Sequence, residues 1–493
     1  RRVLFRSDYL PGYLALLWPL GAITGMLTGT ADPGALVKLP AIIADGLLVI
    51  ATARLAGDLG ASRRGATVAA AAIALLPATW IDSSVWGQVD AVGTCLLLFA
   101  TSELIRGKSV RAATLTALAA VTKPQFGIII PIIAVVLFVR AKNSSDPWRF
   151  VVTGLAGAAT ISLVAAPFGE TLIDVANRVL IAGGGYQYLS VGAWNPWALV
   201  SIEGVGLARN GGWASDLTAL PTLGIPGIAI GTVAMVAAIA FAARRARADQ
   251  AAITVASITF VAVSFFVLPT RVHERYLFAA IPLATALAVS NRRWLPIVAI
   301  ANLLFAANAW SALTKGYLNN PGIPDLGPLA TALQSSEAVV IGSIASTALL
   351  AASAVVTFDL RLSSGRRIST RARIPYLVGP RERSERFQPA GAEGARRRLD
   401  RADLWMLLVI TVTALALRGW RVGEPSRFHF DEVYHVRTAT EFLQDWRYGE
   451  PHAIYEYTHP HLAKYAIAVG VDTLGAPHVD ARSDYGTSIL AIA

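Results

Sequence analysis

The chain has 493 residues, of which 54% are hydrophobic and only 15% are charged. Soluble globular domains are about a quarter charged, so composition excludes an ordinary water-soluble enzyme. A single cysteine excludes a disulfide framework and any Cys-rich zinc or iron–sulfur centre. The net charge of +11 comes from 43 Lys+Arg against 32 Asp+Glu. In a soluble protein it suggests nucleic acid, but in a membrane protein basic residues gather in cytoplasmic loops. Arg1 stands where a Met is expected and the chain closes on the apolar run Ile489 to Ala493, so it reads as a fragment cut at both ends.

Apolar stretches of the roughly 17–25 residues that cross a bilayer recur along the chain. They lie near 10–30, 39–56, 66–81, 85–105, 112–139 (a broken pair), 151–166, 223–243, 251–268, 275–290, 294–313, 336–358 and 403–418, and another begins near 461. Many are rich in Ala, Val, Leu and Ile with Gly and Pro inside, as membrane helices tolerate. The pattern predicts an all-α, polytopic integral membrane protein of about 12–13 transmembrane helices.

The basic residues predict its orientation. Short loops with Arg54, Arg63 and Arg64; Arg106, Lys108 and Arg111; Arg140, Lys142 and Arg149; Arg244, Arg245 and Arg247; and Arg292 and Arg293 read as cytoplasmic. The stretch 359–401 joins them: its twelve Arg against five acids give +7, and its Gly, Ser and Pro give it the character of a disordered linker. A positive-inside tether explains this Arg run better than nucleic-acid binding. Alternation then places Ile81–Trp86, Lys123–Gln125, the long loop 167–222, Pro269–Glu274, the loop 314–335 and 419–459 on the opposite, non-cytoplasmic face.

The densest polar segment follows the helix expected at 403–418. It contains Phe428-His429-Phe430-Asp431-Glu432-Val433-Tyr434-His435, then Tyr457-Thr458-His459-Pro460-His461-Leu462-Ala463-Lys464. Six of the seven histidines lie between 429 and 478. Adjacent carboxylates beside a membrane helix can supply a general base for a hydroxyl acceptor. Pro460 suits a first helical position, which sets His459 and Lys464 at the membrane surface, where Lys464 meets a lipid phosphate and the helix N-terminus favours an anion. The spacing fits no HExxH or similar signature, so no metal is indicated, although a divalent ion remains open to these ligand types.

These two runs resemble the first external loop of protein O-mannosyltransferases, dolichyl- or polyprenyl-phosphate-mannose dependent enzymes of the GT-C membrane fold. In that family an Asp-Glu pair opens the loop and a His-Pro-Pro-Leu-x-Lys segment leads into the second helix. His461 here replaces the second Pro and leaves the register intact. The likeness covers about residues 403–476. It implies Asp431 as catalytic base with Glu432 beside it, His459 and Lys464 shaping the donor-phosphate site, and direct displacement with inversion.

Residues 1–358 resemble bacterial GT-C mannosyltransferases. The likeness rests on Asp8-Tyr9-Leu10-Pro11-Gly12-Tyr13, Lys38-Leu39-Pro40 with Asp45, Trp86-Gly87-Gln88-Val89-Asp90, Thr122-Lys123-Pro124-Gln125 and His273-Glu274-Arg275-Tyr276-Leu277. The first helix and its acidic loop are missing from this unit. A carboxylate in hydrocarbon costs about 2.5–3.5 kcal/mol on insertion scales and therefore faces a cavity or a partner. Asp90, at the external end of its helix beside Trp86 and Gln88, is expected to be functional. Asp45 reads equally as a structural ion-pair partner. Lys123, in a Pro-broken hairpin, reaches a lipid phosphate or snorkels to the surface. Arg271, His273, Glu274 and Arg275 crowd one helix entrance and are expected to contact phosphate or sugar. Trp194, Trp197 and Trp213 belong to an interfacial belt or stack on a sugar.

The expected organisation is thus a truncated tandem. A GT-C-like unit spans 1–358, an Arg-rich cytoplasmic linker 359–402, and the start of a protein O-mannosyltransferase-like unit 403–493; two neighbouring genes joined in one sequence give the same pattern. The expected protein sits in a bacterial inner (plasma) membrane with its active site on the non-cytoplasmic side. It transfers a sugar, mannose by the resemblance, from a polyprenyl-phosphate carrier to protein Ser/Thr or a cell-envelope glycan or lipid, without nucleic acid. The rival is a transporter or a lipid-linked sugar flippase, which would show paired broken helices in two matching halves.

Overall fold

The computed structural model describes residues 10–13, 15, 16, 38–200, 214–220, 223–316 and 326–358, and beyond these only 409, 412 and 413. The linker expected at 359–402 and the unit expected at 403–493 lie outside the described residues apart from those last three.

The described chain is helical, with four isolated β-bridges and no strand. In order it forms α1 (Leu39–Asp58), α2 (Arg63–Leu75), α3 (Pro77–Trp80) running into a π-turn (Ile81–Val85), α4 (Asp90–Ile105), α5 (Ser109–Thr122), a 3₁₀ segment (Pro124–Ile129) and α6 (Ile130–Asn143). Then follow α7 (Pro147–Ala165), α8 (Leu172–Gly185), α9 (Gly227–Ala246), α10 (Ala251–Val267), α11 (Ala280–Ala288), α12 (Leu295–Gly316), α13 (Pro328–Gln334) and α14 (Ser336–Phe358).

Local sequence explains the helix ends. Proline stands in the first turn of α1, α3, α6, α7 and α13, where its missing N–H costs nothing. Ser62 caps α2 by accepting from the Gly65 N–H at 3.1 Å. Inside the helices, hydroxyls bond back one turn: Thr52 to the Leu48 carbonyl, Thr101 to Leu97 and Thr259 to Val255, each at 2.8 Å. Such bonding keeps a polar group satisfied where no water is at hand.

Six helical segments are long and apolar enough to cross a membrane: Leu39–Asp58, Pro124–Asn143, Pro147–Phe168, Gly227–Ala246, Arg292–Thr314 and Ser336–Phe358. The pair Arg63–Leu75 and Pro77–Val85, bent by 46° at Leu76, makes a seventh if counted as one span. The chain is therefore an all-α, multi-pass membrane protein. The expected count of about 12–13 is not reached among the described residues. The predicted elements at 251–268 and 275–290 appear as the shorter α10 and α11, and 112–139 as α5 and the 3₁₀–α6 segment.

Burial is distributed as a membrane requires. α10 is buried nearly all round, from Thr254 to Val267, and forms the centre against α9, α11 and α14. α1, α4 and α5 pack side by side, and α7 lies outside α5. The outer helices expose Leu155, Leu163, Val233, Phe241 and Ile341. Such a surface suits acyl chains and is incompatible with water.

Ion pairs tie the two ends of the bundle. At one end Arg54 pairs with Glu103, Arg106 with Asp58 at 2.6 Å, and Arg140 with Asp249 at 2.6 Å. All the short basic loops of the described chain meet here. The polar motifs of the sequence meet at the other end.

Candidate functional site

The site is built at the end of the bundle away from the basic loops. The π-turn Ile81–Val85 ends α3, and Gly87 follows with φ +79, a left-handed conformation natural to glycine. The chain thereby reverses and starts α4 with Asp90 in its first turn. The same glycine leaves room for Lys38: a β-carbon at position 87 would stand 3.1 Å from Lys38 Cγ. Buried Lys38 then donates from Nζ to the Val85 carbonyl at 3.3 Å.

Asp90 is fully buried and is the hub. Lys123 Nζ donates to its Oδ2 at 2.8 Å, Gln125 Nε2 donates to its Oδ1, and Arg275 Nε stands 4.0 Å from Oδ2. Lys123 and Gln125 arrive here because Pro124 ends α5 and folds the chain into a 3₁₀ segment. That segment packs on α4 through Phe126, whose ring lies where a Gly93 β-carbon would stand, 2.0 Å from its nearest atom. The Arg275 guanidinium lies 5.7 Å from the centre of the Trp86 ring and donates to Glu274 Oε1 at 2.9 Å. His273 Nδ1 is 3.9 Å from Glu274 Oε2, and its ring meets Tyr186 edge-on at 5.1 Å. Burial pushes the Glu274 carboxyl above its ordinary value, and the Arg275 charge opposes that shift.

Four motifs read separately in the sequence thus meet: Trp86–Asp90, Lys123–Gln125, His273–Arg275 and Lys38. Arg271 goes elsewhere. Its φ is +63, and its guanidinium is gripped by fully buried Asp216, Nε to Oδ2 at 2.7 Å and Nη2 to Oδ1 at 3.1 Å. Its Nη1 donates to the Gly183 carbonyl at 2.6 Å. Thr270 also donates to Asp216 Oδ2 at 2.7 Å. This arrangement clamps the loop and occupies each of the three guanidinium nitrogens. Asp45 accepts from Ser83 on the π-turn.

Trp194 and Trp197 serve the packing of the fold. Trp194 is buried against α14, in the space a Gly342 β-carbon would fill at 2.3 Å, and buried Trp197 donates from Nε1 to the Leu268 carbonyl at 2.7 Å. Neither ring is presented to a ligand. Trp213 lies outside the described residues, as do Asp8, Asp431, Glu432, His459 and Lys464.

Two features escape the sequence reading. The expected loop 167–222 contains helix α8, opened by a reciprocal capping box between Thr171 and Asp174. The second is Asp82, fully buried on the π-turn, with neither carboxylate oxygen meeting a hydrogen-bond partner among the described residues. Asp45, Asp90, Lys123 and Arg275 all act on it electrostatically. An acid in an apolar run is the signal that marked Asp45 and Asp90, and it applies equally to Asp82.

No group of three or more His, Cys, Asp or Glu arranged to hold a metal occurs among the described residues. The sequence matches no protein-family model, and no curated protein matches it.

Proposed function

We propose that the chain is a membrane glycosyltransferase of GT-C type. It takes a sugar, mannose by the sequence resemblance, from a polyprenyl-phosphate carrier at the non-cytoplasmic face of a bacterial plasma membrane and passes it with inversion to a protein or cell-envelope acceptor. The observation that carries the reading is the buried Asp90–Lys123–Gln125–Arg275–Trp86 cluster at the end of the bundle opposite the basic loops. Charged groups are retained inside a membrane protein where they meet a substrate or one another. Cations, an amide and an aromatic face together suit a phosphate-linked sugar. Asp431 and Glu432, with His459 and Lys464, form the corresponding reading of the second unit and rest on sequence resemblance.

A second reading, a polytopic transporter or lipid-linked sugar flippase, draws on the same buried Asp90–Lys123 pair, since such pairs also line transport pathways. Membranes containing the chain, incubated with radiolabelled polyprenyl-phosphate mannose and an acceptor extract, separate the two. Label transfer is expected, with loss in Asp90→Asn if the first unit acts and in Asp431→Asn if the second does. Movement of the carrier between leaflets without any transfer would favour the transporter.

A further inference from the structure

We propose that Asp82 is the residue that recognises the hydroxyl groups of the sugar carried into this site, an inference that rests on the glycosyltransferase reading and names a contact within it. Every other acid near it is engaged. Asp90 accepts from Lys123 and Gln125, Glu274 from Arg275, and Asp45 from Ser83. Asp82 alone of these offers two buried oxygens with no donor among the described residues. Buried polar groups are almost always satisfied, so an orphan of this kind calls for a donor that the described residues do not supply.

The surroundings select that donor. An anion brings no donor to these oxygens, and Asp90 and Asp45 both oppose negative charge at Asp82. A metal ion lacks the ligand set it needs among the described residues. A neutral polyol satisfies two carboxylate oxygens with two hydroxyls and brings no charge. The backbone here is a π-turn, a geometry that recurs at functional sites. Trp86, Gln125 and Arg275 are the partly exposed members of the cluster, and the proposal places the sugar's approach on their side. The division of labour follows: Lys123 and Arg275 meet the phosphate side of the carrier, and Asp82 meets the sugar side.

The test compares two carriers on the full chain in detergent: polyprenyl-phosphate mannose and sugar-free polyprenyl phosphate. Wild type is expected to prefer the sugar-bearing carrier. Asp82→Asn is expected to lower that affinity by about tenfold or more while leaving sugar-free binding unchanged, the effect of losing charge-assisted hydrogen bonds. Its melting temperature should equal or exceed that of wild type, because the change replaces a buried acid whose two oxygens meet no hydrogen-bond partner among the described residues. If Asp82→Asn keeps full preference for the sugar-bearing carrier, the sugar is not the partner of Asp82 and the assignment is overturned, with the glycosyltransferase reading intact. Equal loss of both carriers, or a lowered melting temperature, makes Asp82 part of the scaffold and also overturns it. Asp82→Ser carries the same comparison if the Asn variant does not accumulate. Binding of neither carrier by wild type removes the underlying reading itself.

Discussion

Lys123 and Asp90 are 33 residues apart, both buried, and joined at 2.8 Å. Removing one partner of a buried pair strands the other charge, at a cost of about 3–5 kcal/mol, whereas replacing both with apolar groups is often neutral. Asp90→Ala and Lys123→Met are therefore each expected to lower the melting temperature sharply, and the double variant to recover most of the loss. Transfer activity should stay absent in all three. Thermal unfolding of the purified variants checks the first statement, and the label-transfer assay the second. Activity returning with stability in the double variant would reduce the pair to a structural role.

The approach of α4 to the Lys123–Gln125 hairpin depends on Gly93. A methyl group there meets the Phe126 ring at 2.0 Å, far inside contact distance, in a region where Phe126 is itself buried. Overpacking of this kind costs about 1–3 kcal/mol and moves backbone. Gly93→Ala should destabilise the chain and reduce transfer together, because Phe126 follows Gln125 directly. Gly93→Ala combined with Phe126→Leu should restore part of both. Failure of the smaller side chain to rescue either property would show that Gly93 acts through something other than this contact.

Much of the architecture is legible in the sequence because hydrophobic runs of membrane length have few other uses. The runs expected at 39–56, 151–166, 294–313 and 336–358 become Leu39–Asp58, Pro147–Phe168, Arg292–Thr314 and Ser336–Phe358. The basic loops also gather at one end, as charge placement implies. The meeting of Asp90 with Lys123, Gln125 and Arg275 is not legible, because long-range pairing leaves no local pattern. The same holds for Arg271, whose partner Asp216 lies 55 residues away in a stretch without periodicity. Asp82 and the Thr171-x-x-Asp174 capping pattern carry local signals, hidden among residues that read as membrane span and loop.

Helix α8 provides a pH-dependent element. The Thr171 hydroxyl and backbone N–H both donate to Asp174 Oδ2, at 2.7 and 2.8 Å, and hold its carboxyl below the ordinary aspartate value. A depressed native value means that the cap stabilises the helix fully above the unfolded pKa of about 3.9 and is lost as pH falls through the native value. Hydrogen exchange at the start of α8 should therefore be flat from neutral pH to about pH 5 and rise below pH 4 after correction for the intrinsic rate. In Asp174→Ala the exchange should be raised at neutral pH to the level that wild type reaches only in acid, with no further step on acidification. An unchanged acid step in that variant would place its origin outside this cap, and not at Glu170, whose raised value gives the opposite sign.

The Arg271–Asp216 clamp joins α8 to the strip that carries His273, Glu274 and Arg275. Arg271 bonds the Gly183 carbonyl at the end of α8, and Tyr186, three residues further on, meets the His273 ring. Asp216 is fully buried, so Asp216→Ala leaves the guanidinium without its bidentate acceptor and releases Thr270 as well. Loss of a buried charge-paired acceptor costs about 3–5 kcal/mol. Its effect should concentrate in residues 183–191, whose backbone is tied to Val272, His273 and Arg271 by short bonds. Limited proteolysis should open a cleavage site within that stretch while the membrane helices stay intact. Arg271→Lys should give the same opening, since a compact ammonium cannot reproduce the planar fork that meets both Asp216 oxygens and reaches the Gly183 carbonyl as well. Protection of 183–191 equal to wild type in both variants would mean that the loop is held from elsewhere, and that Arg271 is available to a ligand after all.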